Sequence, residues 1–164
     1  MKLLKIQTGE NNPILRTKSV KIKKIDTVLK KFAKAMKETM IAKDGLGLAA
    51  PQVGENIRMI VVTMNHGTPN ASVVTMINPE IVSRGEETYV AEEGCLSLPG
   101  IFKNVERFKS IVLEYTDLDS EKHKLKLDDL NARVPQHEID HLDGILFVDR
   151  VKEGIIVLKK DLRF

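Results

Sequence analysis

From Leu130 to Leu142 the chain reads LNARVPQHEIDHL, and the other predicted elements can be arranged around this segment. The spacing predicts a helix over residues 130–142, on which His137 and His141 share one face, one turn apart. Two imidazoles placed in this way can bind one metal ion, and Glu138 can act as a general base and then as a general acid. The motif indicates a metal-dependent hydrolase, although a solvated helix with two histidines and a glutamate would read the same.

The same helical face continues before the first histidine. Leu130 and Val134 precede His137 at steps of four and three residues, so an apolar wall is predicted beside the metal. Such a wall suits a pocket that buries an apolar side chain next to the reacting bond. The two residues would also fit an ordinary core, and both interpretations can hold together.

Pro135 lies inside this predicted helix. Proline removes one helical hydrogen bond and clashes with the preceding turn. We predict Asn131 as the N-cap, which would place Pro135 just after the first turn, where only the first helical bond is lost. A kink below the metal is the alternative.

The remaining pattern is one helix followed by a series of strands. Asp26 is a predicted N-cap, and apolar residues spaced at i, i+3 and i+4 predict an N-terminal helix that ends at Asp44-Gly45. Strands so close in sequence cannot all be joined by helical crossovers. We therefore predict an α+β fold with mostly antiparallel or mixed β-sheets around a central helix that carries the HExxH motif. The predicted strands cover residues 58–63, 73–77, 81–82, 87–90, 109–115 and 122–127.

Length and composition predict a single catalytic domain over residues 1–164, with a formal net charge of 26 − 23 = +3. Dispersed lysines and few aromatic residues argue against a nucleic-acid substrate. The chain has no apolar run that fits a signal peptide or the roughly 20 residues of a membrane span, so no membrane partner is predicted.

The single cysteine, Cys95, suits a reducing compartment, and a cytoplasmic location is predicted. Residues 154–164 fit a last strand or a short helix equally well.

A catalytic metal on two histidines needs a third protein ligand. Gly144 matches the glycine of an HExxHxxGxxH motif, but Phe147 stands where that motif has its third histidine. Asp149 and Glu153 remain possible downstream ligands by residue type.

Cys95 is the upstream candidate, and its surroundings favour it. The segment Glu92–Gly100 resembles a shaped loop, in which Gly94 allows close backbone approach and Pro99-Gly100 makes a turn. Cys95 could also be a small buried hydrophobic residue or the nucleophile of a Cys-His pair.

A third notable segment, Gly45–Gly54, reads GLGLAAPQVG. It differs from the phosphate-binding pattern GxGxxG because position 50 is alanine and no strand is predicted before it. Gln52 is a polar residue in an otherwise apolar segment, and its amide could donate to a developing oxyanion. A glutamine that caps a turn is an equally good interpretation.

Together, the three segments resemble those of the peptide deformylase family, which is marked by the motifs GxGxAAxQ, EGCLS and QHExDHLxG. The chain has all three in the same order, and the resemblance covers nearly its whole length. They are Gly45-Leu46-Gly47-Leu48-Ala49-Ala50-Pro51-Gln52, Glu93-Gly94-Cys95-Leu96-Ser97 and Gln136-His137-Glu138-Ile139-Asp140-His141-Leu142-Asp143-Gly144.

The resemblance implies hydrolysis of the N-formyl group of the N-terminal formyl-methionine of nascent polypeptides, with release of formate by attack of a metal-bound water. It implies one divalent ion, Fe2+ in most members and Zn2+ in some. A transient ribosome contact is also implied, although few residues follow the third motif and we interpret Lys159-Lys160 as solvated.

The resemblance also implies a role for each motif residue. Cys95, His137 and His141 would be the metal ligands, Glu138 the proton shuttle, and the Gln52 side chain and Leu96 N–H the oxyanion donors. Leu46, Gly47 and Gly94 would offer backbone hydrogen bonds to an extended peptide. Leu130, Val134 and the methylene group of Glu93 would border the methionine pocket, and Arg107 would pair with Glu93 as structural support.

Two other functions remain open at this point. A zincin-like endopeptidase would use Asp149 or Glu153 as its third ligand and would cleave within longer peptides. A non-catalytic metal- or peptide-binding module would bind metal without turnover.

Overall fold

The computed structural model describes residues 3–152 of the chain. The predictions for residues 154–164, for Glu153 as a ligand and for Lys159-Lys160 lie outside the described residues. The described elements, in chain order, are α1 (Thr27–Ala42), β1 (Gly47–Ala49), a 3-10 helix (Ala50–Val53), β2 (Met59–Met64), β3 (Ser72–Arg84), β4 (Thr88–Cys95), β5 (Leu98–Phe108), β6 (Ser110–Thr116), β7 (Lys122–Asp128), α2 (Asp129–Leu142) and a second 3-10 helix (Phe147–Arg150).

The strands form two antiparallel sheets. Five of them make one sheet in the order β1-β2-β3-β6-β7, and β4 and β5 make a separate hairpin. All the strand pairs within these sheets are antiparallel. The predicted α+β class is confirmed.

The five-stranded sheet lies between the two helices, and β2 shows this most clearly. Successive side chains of a strand point to opposite faces. Met59 and Val61 belong to the core cluster that contains α1 residues. Ile60 and Val62 belong to the cluster that contains α2 residues. All four side chains are fully buried, which explains why this strand is apolar without alternation.

The N-terminal helix begins as predicted. The Asp26 carboxylate accepts a hydrogen bond from Leu29 N at 3.0 Å and so caps the first turn. The last helical residue is Ala42, and Asp44 then takes a left-handed φ of 54°. This turn leads the chain into β1, which was not predicted because only three residues form it.

The second helix is the buried centre of the fold, but its predicted start is wrong. It runs from Asp129 to Leu142 with Asp128 at the N-cap, so Asn131 is not the cap. The Asn131 side chain instead accepts a hydrogen bond from Asn65 N in the turn after β2, at 2.8 Å. Pro135 therefore lies beyond the first turn and deprives the Asn131 carbonyl of its helical donor. The residues from Ala132 to Leu142 are all buried, and this packing keeps the helix continuous past the proline.

Two predicted strands, 73–77 and 81–82, are parts of the single strand β3. The pairing of β3 with β6 shifts register between Ile77 and Glu80, where Asn78 has a φ of 49°. The Asn78 side chain accepts a hydrogen bond from Ile22 N at 2.8 Å. The polar residue and the proline that follow Ile77 mark an irregularity in one strand rather than a break between two.

The loop predicted over Glu92–Gly100 is also wrong. Strand β4 continues to Cys95, which pairs with Leu98 across a two-residue turn. Pro99-Gly100 lies within β5 and does not form the predicted turn. Strand β5 as a whole was missed because its glycine and proline resemble loop signals.

Pro99 and Gly100 instead belong to a bulge in the β4–β5 hairpin. Glu93 pairs with Lys103 and Cys95 pairs with Leu98, so residues 99–102 lie opposite Gly94 alone. Gly100 has a φ of 77°, which glycine adopts without strain. The bulge therefore lies in β5 next to the end of β4, where Cys95 is located.

No helix within residues 3–152 combines the length and the apolar composition needed to cross a membrane.

Candidate metal centre

The structure brings together the three predicted metal ligands. One ligand atom each of Cys95, His137 and His141 lies within 4.8 Å of the others. The Cys95 Sγ and His141 Nε2 atoms are 3.3 Å apart. One thiolate and two imidazoles fit a tetrahedral site with a fourth position open, and this donor set is suited to zinc or iron(II).

The three ligands come from two different elements. Cys95 ends β4, whereas His137 and His141 stand one turn apart on α2. His141 is fully buried, and burial, followed by the charges of His137 and Arg107, holds its pKa well below the ordinary value. A neutral imidazole has a free lone pair, which a metal ligand requires.

Asp149, the downstream ligand of the endopeptidase alternative that lies within the described residues, is not part of this cluster. The Asp149 carboxylate is bonded to Arg16 and accepts a hydrogen bond from Leu146 N at 2.8 Å. Phe147, which occupies the position of the third histidine in the other motif, stacks on the His137 ring with centroids 5.9 Å apart. It supports the first histidine by packing.

The His137 ring is oriented by a hydrogen bond to the Glu93 carboxylate. Its Nδ1 atom lies 2.9 Å from Glu93 Oε2. Burial raises the pKa of Glu93, but hydrogen bonds from His137 and Arg107 outweigh burial and bring the pKa well below its ordinary value. An ionised carboxylate can only accept, so Nδ1 donates a proton to Glu93, and Nε2 is the ring nitrogen that would bind a metal.

Arg107 forms the predicted pair with Glu93 through two hydrogen bonds of 3.0 Å each. The same guanidinium also bonds the carboxylate of Asp140, one residue before His141. Asp140 is held in turn by Arg150 at 2.7 Å. Arg107 therefore links the hairpin to both histidine positions of α2.

Gln52 is fixed beside the cysteine. Its Oε1 atom accepts a hydrogen bond from Ala49 N at 2.8 Å, which orients the amide. Its Nε2 atom lies 3.4 Å from Cys95 Sγ and 3.3 Å from Ser97 Oγ. One contact of this amide nitrogen is thus with Cys95 Sγ and the other with Ser97 Oγ, which places the predicted oxyanion donor beside a predicted metal ligand.

Glu138 lies against the backbone of β1. A Cβ atom added to Gly47 would clash with the Glu138 side chain, so any larger residue at position 47 would displace the carboxylate. Within the part of the chain that the structure describes, the buried Oε2 atom has no hydrogen-bond partner. Burial raises the pKa of Glu138 to about 7, which suits a group that takes up and releases a proton near neutrality.

A cavity of about 510 Å³ opens onto these residues. Its walls include every catalytic and substrate-binding residue predicted from the sequence, together with two of the three metal ligands. They are Leu46, Gly47, Gln52, Glu93, Gly94, Cys95, Leu96, Leu130, Val134, His137 and Glu138.

One edge of the cavity is the short strand β1, which is an edge strand of the larger sheet. Gly47 lines the cavity there, whereas the Leu46 carbonyl already accepts a hydrogen bond from Thr63 N at 2.8 Å. A carbonyl oxygen has two lone pairs, so this bond does not by itself exclude Leu46 from the predicted peptide contacts. The geometry is compatible with addition of a peptide strand.

Sequence reasoning missed several residues around this site. Arg133 lines the cavity and bonds Glu93. Phe102 lines the cavity, and its ring occupies the space that a Cβ atom on Gly94 would need. The signal for Arg133 was present, because it stands one helical turn before His137, but Phe102 reaches the cavity only through the bulge.

The family model described as "Polypeptide deformylase" matches residues 3–154 of the chain. A peptide deformylase of Prochlorococcus marinus (strain NATL1A) is 47% identical over 139 residues, which are 85% of this chain and 69% of that protein. A peptide deformylase of Picosynechococcus is 44% identical over 150 residues, or 92% of this chain and 80% of that protein.

Solved structures show the same similarity. The crystal structure of peptide deformylase from Thermotoga maritima matches with a TM-score of 0.87 and 42% identity, over 93% of this chain and 99% of that one. A peptide deformylase from Synechococcus elongatus, solved in complex with actinonin, matches with a TM-score of 0.85 and 37% identity, over 92% of this chain and 80% of that one. The chain belongs to the polypeptide deformylase family, whose metal-dependent enzymes hydrolyse the formyl group from N-formyl peptides.

Proposed function

We propose that this chain deformylates the N-terminal formyl-methionine of nascent polypeptides, with Cys95, His137 and His141 holding the metal. The observation that carries this proposal is the convergence of these three side chains at the cavity that Glu138 also lines. We further propose Fe2+ as the ion, with Zn2+ as the alternative, since both accept one thiolate and two imidazoles.

Each of the chain's own groups has a chemical task in this proposal. A divalent metal, when bound, lowers the pKa of water from 15.7 to about 7 and polarises a carbonyl. Glu138 accepts the proton that the attacking water loses and delivers it to the leaving amide nitrogen. Gln52 Nε2 and the Leu96 N–H donate to the oxygen on which negative charge develops. Formate and a free amino terminus are released.

The substrate is proposed from the walls of the cavity. Leu130, Val134 and the methylene group of Glu93 border a pocket for the methionine side chain. The peptide beyond it would lie along Leu46, Gly47 and Gly94 as an added strand. The peptide deformylase from Acinetobacter baumannii, a structural relative at 35% identity with a TM-score of 0.84 over 92% of this chain and 99% of that one, has been solved with Met-Ala-Ser bound.

Three proposals of wider scope concern the location of the protein, the ribosome and the domain organisation. We propose a cytoplasmic location, where a thiolate ligand stays reduced. We propose a transient contact with the ribosome, from which the formylated peptide emerges. We propose that residues 1–164 form one catalytic domain, because Cys95 packs on a core cluster that contains Phe147, and the Phe147 ring stacks on His137 of α2.

The activity is tested with metal-loaded protein under anaerobic conditions. The protein is incubated with a formyl-Met peptide and, as a control, with the unformylated peptide, and formate and new amines are measured. We expect formate only from the formylated peptide. New amines without formate would support a peptidase, and metal binding without either product would support a binding module.

Two substitutions separate the roles of the site residues. Glu138→Ala should keep the metal and lose about 10²–10⁴-fold in kcat, the usual size of a general acid–base contribution. Cys95→Ala should weaken metal binding itself. Metal content is measured by atomic absorption and kcat by formate release, and undiminished metal affinity in Cys95→Ala would contradict the ligand set.

A further inference from the structure

The Glu93 carboxylate is held by two guanidinium groups. Arg107 binds both of its oxygens, and Arg133 Nη1 bonds Oε1 at 2.7 Å. The other oxygen, Oε2, faces His137 Nδ1 at 2.9 Å. The position of Oε2 at the imidazole thus depends on both arginines.

Arg133 is itself fixed by the hairpin. Its Nη1 and Nη2 atoms donate to the carbonyl of Val105 on β5 at 3.1 Å and to the carbonyl of Tyr89 on β4 at 2.8 Å. The guanidinium also stacks over the Tyr89 ring, 4.3 Å from its centroid. Only 5% of Arg133 is exposed, so these bonds are shielded from water.

Arg133 connects α2 to the β4–β5 hairpin. It lies four residues before His137 and therefore on the same helical face. Its partners lie on the two strands of the hairpin, in which Cys95 is the last residue of β4. Arg133 is thus a direct link between the elements that supply the cysteine and the histidines.

We propose that Arg133 is a positioning residue for the metal centre. It fixes Glu93 Oε2 against His137 Nδ1 and holds α2 in register with the hairpin, so that His137 Nε2 and Cys95 Sγ stay at the distance one ion requires. This inference rests on the proposed metal ligands. Partners that orient metal-binding histidines typically change metal affinity or activity 10–100-fold when they are removed.

The test uses Arg133→Met and Arg133→Lys with Co2+ as the metal probe. We expect Co2+ affinity, measured by competition with a chelator, to fall about 10–100-fold in Arg133→Met. We expect a smaller loss in Arg133→Lys, because lysine can bond one Glu93 oxygen but cannot also reach both carbonyls. The absorption bands of the Co2+ protein should shift, and kcat for a formyl-Met peptide should fall more than KM rises.

Arg58→Met is the matched control. Arg58 is also largely buried and bonds α2, through the Asp143 carboxylate at 2.7 Å and the Leu142 carbonyl at 3.4 Å, but it does not contact Glu93. It should lose thermal stability and keep its Co2+ affinity and spectrum. Arg133 variants that lose stability yet bind Co2+ like the wild type would overturn the inference.

Two further arms keep the result decisive. If Arg133→Met does not fold, the same Co2+ titration on Arg133→Lys decides, and unchanged affinity and spectrum there would overturn the inference. Cys95→Ser tests the ligand set separately. Unchanged Co2+ affinity in Cys95→Ser would reject the proposed metal site, whereas weakened affinity in Cys95→Ser with unchanged Arg133 variants would reject only the role of Arg133.

Discussion

At the scale of single residues, the contact between Gly47 and Glu138 constrains both positions. The space for a Cβ atom on Gly47 is already filled by the Cγ, Cδ and Oε1 atoms of Glu138, at 2.7, 2.7 and 2.3 Å. The glycine of this motif is therefore needed for a side chain that lies 91 positions away, by the difference 138 − 47. Gly47 therefore affects the position of the proposed proton shuttle, Glu138, independently of any contact with substrate.

Gly47→Ala should displace the Glu138 carboxylate and lower kcat by about 10²-fold or more, because general acid–base catalysis depends on close placement. Metal affinity should not change, since the three atoms nearest to the new methyl group all belong to Glu138, which is not a proposed metal ligand. The measurements are formate release and metal content.

Glu138→Ala provides the control background. Glu138→Ala removes the side chain that the methyl group would displace, so Gly47→Ala should cost little further kcat there. An equal loss in both backgrounds would show that Gly47 acts only on the bound peptide, and full activity of Gly47→Ala would contradict the steric argument.

At the scale of elements, the hairpin and α2 are joined by buried charges. Glu93 on β4, Arg107 on β5 and Arg133 on α2 each expose less than a tenth of their surface. Breaking a buried ion pair by removing one partner costs about 3–5 kcal/mol, because the other charge stays buried without compensation. The Glu93 carboxylate therefore contributes to the position of Cys95 relative to α2.

This arrangement predicts a pH dependence of stability. The pKa of Glu93 lies below its ordinary value in the folded protein, so Glu93 stabilises the fold above the pKa of the unfolded chain, about 4.3. That contribution should be lost as the pH falls further towards the folded-state pKa. Urea unfolding of metal-free protein between pH 3 and pH 7 measures it.

Glu93→Gln is the control, because glutamine keeps the shape and does not titrate. Its free energy of unfolding should be about 3–5 kcal/mol lower than that of the wild type at pH 7. The difference should narrow as the pH falls below about 4.3. A difference independent of pH would show that Glu93 acts through shape alone.

At the scale of the whole molecule, the proposed ion would join two parts of the structure that otherwise meet through packing, hydrogen bonds and buried charges. Cys95 belongs to the two-stranded sheet, and the two histidines belong to the helix that packs on the five-stranded sheet. A ligand that binds only the folded state stabilises it by about 4.1 kcal/mol at a thousand times its Kd.

Removal of the metal by a chelator should therefore lower the melting temperature, and added Zn2+ or anaerobic Fe2+ should restore it. The melting temperature of Cys95→Ala should respond much less to chelator, because its ligand set is incomplete. Calorimetry with and without chelator makes the comparison. Equal responses of the two proteins would mean that the stabilising ion binds elsewhere.

Local sequence was sufficient for part of this structure. The i, i+4 spacing predicted that His137 and His141 share a face of a buried helix, and the Asp26 cap and the apolar pattern after it predicted α1. Nine of the cavity-lining residues that were predicted from the sequence lie in the three motifs. These features depend on helical periodicity and on residue chemistry, and both can be recognised from residues that are close together in the sequence.

Only the tertiary structure decided the rest, because it depends on contacts between residues far apart in sequence. Asn131 was predicted as a cap from its position before Pro135, but its side chain bonds the turn at Asn65 instead. Pro99-Gly100 resembled a turn, but pairing with β4 makes it part of a bulge. The sequence by itself determined which side chains could bind a metal, and the packing of the hairpin on α2 determined that Cys95 joins the two histidines and that Glu93, Arg107 and Arg133 hold them together.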